Sequence, residues 1–85
     1  VPRKRKPTRL AANIRYLRMR GDYTQEFIGE LIGVSRFAVC KYEAGDRVPN
    51  NMGLRKLAHL FSVTVDDLLN EDMSGAFTDK EEVNT

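Results

Sequence analysis

The sequence has no tryptophan, one cysteine, one histidine, and no acidic residue among its first twenty positions. Each scarcity excludes something. A single cysteine, Cys40, can form neither an intrachain disulfide nor a cysteine-rich metal site, and it fits a reducing compartment. As a lone thiol without an evident activating base, it reads as inert. The single histidine, His59, has no metal partner at suitable spacing and reads as a solvated side chain. Nucleophile–base pairing and a phosphate-cradling glycine loop are also missing, so an enzyme is not expected, and neither is a metal or a cofactor. No run of about 18 apolar residues and no leader pattern is present. The expectation is a soluble, cytoplasmic chain without membrane attachment. It does not open with methionine, which fits a processed chain or a piece of a longer one. Its 85 residues suffice for one domain.

What is present is a charge gradient that the net charge of +2 conceals. Residues 1–20 carry eight Lys or Arg and no acid, whereas residues 66–85 carry seven Asp or Glu against Lys80 alone. A basic end of this kind suits a polyanion. The four consecutive cations Arg3, Lys4, Arg5 and Lys6, bracketed by Pro2 and Pro7, read as a flexible basic arm over 1–7. That arm lacks the interleaved apolar face of a membrane-surface helix, so nucleic acid is the preferred partner. At the other end, residues 71–85 have no periodicity and read as an acidic mobile tail.

Between arm and tail, over 8–70, apolar residues recur at helical spacing and never at strand spacing. Thr8 caps a first helix with Leu10, Ala11, Ile14 and Leu17 inward, ended by Gly21-Asp22. Thr24 caps a short second helix with Ile28, Gly29 and Ile32 inward, broken by Gly33. Ser35 caps a third helix that runs to about Glu43 and stops at Ala44-Gly45. Pro49 makes a turn. A fourth helix follows Asn50 or Asn51 and carries the stripe Leu54, Leu57, Ala58, Phe61. Thr64 and Asp67 form a capping-box-like start for a fifth, flanked by the staple positions Val63 and Leu68. The fold class is all-α, with five helices.

Residues 24–43 carry the functional pattern. Two short helices that cross steeply need a small residue at their closest approach, a glycine in the left-handed turn, and apolar inner faces. Gly29, Gly33, and the set Ile28, Ile32, Val34, Val39 and Tyr42 supply these in register. With Ile14 to Arg18, Tyr23-Thr24-Gln25, Gly33-Val34-Ser35, Tyr42 to Gly45, Pro49, Leu57-Ala58 and Val63 to Leu69, the chain resembles the lambda-repressor-like, Cro-type helix-turn-helix family from about Leu10 to Leu69.

The resemblance implies a five-helix DNA-binding domain whose third helix lies in the major groove. It implies that Gln25 meets a phosphate at the start of helix two, and that Ser35, Arg36, Phe37 and Lys41 face the bases or the groove. The loop 45–50, with Arg47, would touch the sugar–phosphate backbone, and Arg18 and Glu43 would form a buried structural pair. It further implies that alanine is tolerated at Gly29, whereas leucine would overpack the crossing. Phe37 departs from the family, standing where polar side chains usually read bases; it either contacts a thymine methyl or fills a gap beside helix two. Asn51 replaces an apolar residue common early in helix four. Phe27 and Leu31, one turn apart outside the expected core, are expected to pack on helix one or the arm. The leading function is sequence-specific binding of double-stranded DNA by a homodimeric transcriptional regulator, a repressor, on a palindromic operator. The alternative is an antitoxin or other protein-interaction module with secondary DNA binding.

Overall fold

Five segments become helices because each is opened by a side chain that satisfies an otherwise orphaned backbone N–H. The computed structural model describes residues 8–73. Within it α1 spans Arg9–Arg20, α2 Gln25–Ile32, α3 Arg36–Ala44, α4 Asn51–Phe61 and α5 Val65–Asn70. The capping residues are Thr8, Thr24, Ser35, Asn50 and Thr64. In each case the side-chain oxygen accepts the N–H three residues on, at 2.8 to 3.2 Å. Among the described residues there is no strand, as the periodicity predicts. The arm expected at 1–7, with Arg3, Lys4, Arg5 and Lys6, and the tail beyond residue 73 lie outside the described residues.

The apolar stripes meet in one core. Leu10 and Ile14 of α1, Ile28 of α2, Val39 and Tyr42 of α3, Leu54 and Leu57 of α4 and Leu68 of α5 form a continuous buried cluster. Leu17, Ile32, Val34 and Phe61 pack around it, partly buried. In contact terms α2 lies against α3 and α4, and α1 lies against α3, α4 and α5. Helices α2 and α3 therefore form a unit braced from behind by α1.

Two glycines make the α2–α3 crossing possible. Gly33 closes α2 in the left-handed region at φ 81°, where a side chain would be strained. Gly29 is buried at the crossing, and a Cβ there would stand 2.6 Å from the Val34 carbonyl oxygen. The obstacle is backbone, so even one methyl requires α2 or the turn to shift, which sets this geometry against the tolerance of alanine that the resemblance implies.

The seam between α1 and α5 is polar and was invisible in the sequence. Asn13 is fully buried. Its amide donates to Leu68 O at 2.9 Å and Glu71 O at 2.7 Å, and its Oδ1 accepts from Met73 N at 3.1 Å. One turn earlier, Arg9 donates to Asn70 O at 3.0 Å. A neutral amide thus satisfies the loose carbonyls where α5 ends, and ties residues 71–73 to α1.

Phe27 and Leu31 find partners besides α1, and the arm, the other surface expected for them, lies outside the described residues. Phe27 stacks on Tyr23 of the α1–α2 turn, with ring centres 5.3 Å apart. Leu31 instead lines an open groove shared with Met52, Arg55, Lys56, His59 and Leu60 of α4.

Candidate nucleic-acid interface

Helix α3 divides its residues sharply. Val39 and Tyr42 are buried and Ala38 is partly so, whereas Arg36, Phe37, Cys40 and Lys41 are exposed. The 3.6-residue period explains this split: fixing Val39 and Tyr42 inward turns positions 37, 40 and 41 to the opposite side and leaves 36, in the first turn, at the flank. Phe37 is 66% exposed, which removes the gap-filling role considered for it. The Arg36 guanidinium lies 5.1 Å from the centre of the Phe37 ring. Ser35 is exposed, and its hydroxyl oxygen already accepts the Ala38 N–H at 3.2 Å; its proton stays available to a ligand. Arg47 follows the left-handed Gly45 cap, is exposed, and donates its backbone N–H to Lys41 O at 3.4 Å. The loop is thereby folded onto the last turn of α3.

Gln25 and Arg36, eleven positions apart in sequence, line one open cleft of about 540 Å³ together with Arg18, Tyr23 and Thr24. The start of α2 and the start of α3 therefore open on the same space. Two carboxylate residues, Asp22 and Glu26, share that cleft; Glu26 sits in the first turn of α2, where the helix dipole favours a negative charge.

Behind the cleft sits a charged cluster. Arg18 Nε meets Glu43 Oε2 at 2.6 Å and Arg18 Nη2 meets Glu43 Oε1 at 3.1 Å, the two-pronged geometry of a strong Arg–carboxylate pair. The side chains are 16% and 6% exposed, so the pair is largely withdrawn from water. A third prong, Arg18 Nη1, donates to Tyr23 O at 2.9 Å and pins the α1–α2 turn. The expected Arg18–Glu43 pair is present.

Sequence reasoning missed its third member. Gln25 Nε2 donates to Glu43 Oε1 at 3.0 Å, which orients the Gln25 amide and leaves its second N–H free to point into the cleft. Only the alignment of α2 with α3 makes this bond possible, so no local signal could have shown it.

Among the described residues, no group of three or more His, Cys, Asp or Glu is placed to hold a metal ion, and no helix is long and apolar enough to cross a membrane.

Comparison with known proteins agrees with this geometry. Residues 14–68 match the helix-turn-helix family model. The chain is 41% identical over 56 residues to the HTH-type transcriptional activator BcrR of Enterococcus faecalis, covering 66% of this chain and 28% of that protein. It is 38% identical over 55 residues to the HTH-type transcriptional regulator YgzD of Bacillus subtilis, covering 65% of this chain and 83% of that one. A third relative, the HTH-type transcriptional regulator AnsR of B. subtilis, is 32% identical and is covered over 48% of its length. Thus the chain spans well under two thirds of BcrR and AnsR. Among solved structures, the P22 c2 repressor bound to a synthetic operator superposes with a TM-score of 0.69 at 28% identity, covering 74% of this chain and 96% of that one. Five helices in this order, the α2–α3 crossing at Gly29 and these matches lead to one assignment: the chain belongs to the Cro/C1-type, lambda-repressor-like helix-turn-helix family of DNA-binding transcriptional regulators.

Proposed function

We propose that this chain is the operator-reading domain of a cytoplasmic transcriptional repressor, binding double-stranded DNA as a homodimer with α3 in the major groove. The observation that carries the reading is the exposed face of α3, where Arg36, Phe37 and Lys41 project together beside the cleft that Gln25 shares. Arg36 and Lys41 suit the N7 and O6 acceptors of guanine. Ser35 would donate its hydroxyl proton to the nearest base edge or phosphate. Gln25, held by Glu43, would offer its free N–H to a phosphate, and Arg47 would meet the next phosphate along. The arm residues Arg3, Lys4, Arg5 and Lys6 would follow the backbone without reading bases, each neutralised phosphate adding about 0.9 to the salt slope.

One α3 covers only a few base pairs, too few for useful specificity, so two copies are required. The exposed Leu69 of α5, together with Val65, supplies an apolar surface for pairing. The likeness to the P22 c2 repressor over most of the described fold supports repression, and the likeness to the activator BcrR makes activation the alternative outcome.

Selection of bound sites from a random duplex pool tests the proposal. The expected outcome is a palindrome with half-site centres about 34 Å apart, or about 10–10.5 base pairs. An asymmetric consensus occupied by one protomer at all concentrations would refute the dimer. A promoter–reporter fusion carrying the selected site then reads the sign of regulation.

A further inference from the structure

The exposed face of α3 carries a contact between two neighbouring side chains, Arg36 and Phe37. Consecutive helical residues ordinarily diverge, yet the Arg36 guanidinium lies over the Phe37 ring at 5.1 Å, within cation–π range. Phe37 is 66% exposed, so much of its side chain remains open to a ligand. Both residues lie in the first turn of α3, the part of a recognition helix that meets base edges. A guanidinium fork matches guanine N7 and O6, and an aromatic side chain matches the C5-methyl of thymine. Successive bases on a strand are about 3.4 Å apart. A cation and a ring centre 5.1 Å apart are far enough from each other to reach two adjacent base pairs.

Resting on the proposal that α3 reads the major groove, we infer that Arg36 and Phe37 act as one unit that recognises a guanine together with the C5-methyl of a pyrimidine in the neighbouring base pair. The ligand class is a methyl-bearing step: thymine beside guanine, or 5-methylcytosine beside guanine. The ring has two tasks. It covers the methyl group, and it holds the guanidinium in place before DNA arrives, which reduces the ordering cost of the guanine contact. Because Phe37 packs against nothing in the core, changing it leaves the fold intact.

The test uses the whole chain and the duplex selected above, with the step synthesised in four forms: thymine, deoxyuridine, cytosine and 5-methylcytosine. Deoxyuridine differs from thymine only by the missing methyl, and it should bind about fourfold more weakly, the factor for leaving one methyl-sized group unburied. The 5-methylcytosine duplex should exceed the cytosine duplex by a similar factor. Phe37→Ala should erase both differences and weaken the preference for the adjacent guanine. Phe37→Leu should keep the methyl difference and still lose guanine preference, because leucine offers apolar surface without a π face. Equal binding of thymine and deoxyuridine duplexes by the unaltered protein, with guanine preference intact, overturns the inference and leaves the operator-reading proposal standing. A methyl difference that survives Phe37→Ala assigns the methyl to another residue and also overturns it. If no duplex is selected at all, both fall together.

Discussion

Two polar clusters begin on α1, one at Asn13 and one at Arg18, and they hold the fold in opposite ways. The Asn13 side chain is neutral and fully buried, and it bonds to backbone atoms at and just beyond the end of α5. The Arg18 cluster is charged and partly buried, and it joins side chains from α1, α2 and α3. A buried amide with its hydrogen bonds made carries no penalty for desolvating a charge, so the first cluster is a plain contribution to stability. An ion pair withdrawn from water costs several kcal/mol per ion before its attraction repays it. The second cluster is better understood as a positioning device: Glu43 fixes α1, the α1–α2 turn and the Gln25 amide against α3 at once.

The comparison can be broken first at Glu43. Glu43→Ala leaves the Arg18 charge without its carboxylate and frees Gln25, and it should cost about 3–5 kcal/mol in a urea or thermal melt. DNA affinity measured well below the new melting point should also fall, because Gln25 is no longer held toward the cleft. Full stability in this variant would mean that the pair is ornamental.

Asn13→Ala should cost less, about 2–3 kcal/mol, by leaving two carbonyls and one N–H of the α5 end unsatisfied. Its affinity for DNA, measured on the folded protein, should be unchanged. Loss of affinity in proportion to Glu43→Ala would erase the distinction between the clusters.

The smallest expected loss is at Gly29, which lies beside both regions and carries no charge. Gly29→Ala pushes one methyl against the Val34 carbonyl oxygen and should lower stability by about 1–2 kcal/mol, within the range for overpacking. An unchanged melting temperature would show that the turn yields without cost, and would restore the tolerance that the family resemblance implies.

Much of the fold was legible because its signals are local. Every helix start is written in a Ser, Thr or Asn placed just before an apolar stripe, and the stripes of α1 and α4 name their own buried faces. Asn13 was not legible, since a polar residue within a helix reads as solvent-facing until α5 supplies its partners. Ser62 ends α4 in the left-handed region at φ 60° without the glycine that usually marks such a stop. The stack of Phe27 on Tyr23 was not legible for a related reason: Tyr23 lies in a turn, where periodicity carries no information. In the candidate site, the family resemblance pointed to Arg36, Phe37 and Lys41, and all three are exposed on α3. The bond from Gln25 to Glu43 depends on how two helices align, which single-helix patterns do not contain.

The Asn13 seam also bears on the order in which the molecule assembles. Its hydrogen bonds join residues 55 to 60 positions apart, and Arg9 to Asn70 spans 61, whereas Arg18 to Glu43 spans 25 and Gln25 to Glu43 only 18. Closing the longer loops costs more chain entropy before any contact repays it. The α2–α3 unit, braced by α1, should therefore form in the transition state, and α5 should dock afterwards. In kinetic terms, mutations at Ile28 or Val39 should mainly slow folding, and those at Asn13 or Leu68 should mainly speed unfolding. The α2–α3 unit, proposed above to meet DNA, would then be the first to acquire its shape, and the last helix, with its exposed Leu69, would close over a unit already built.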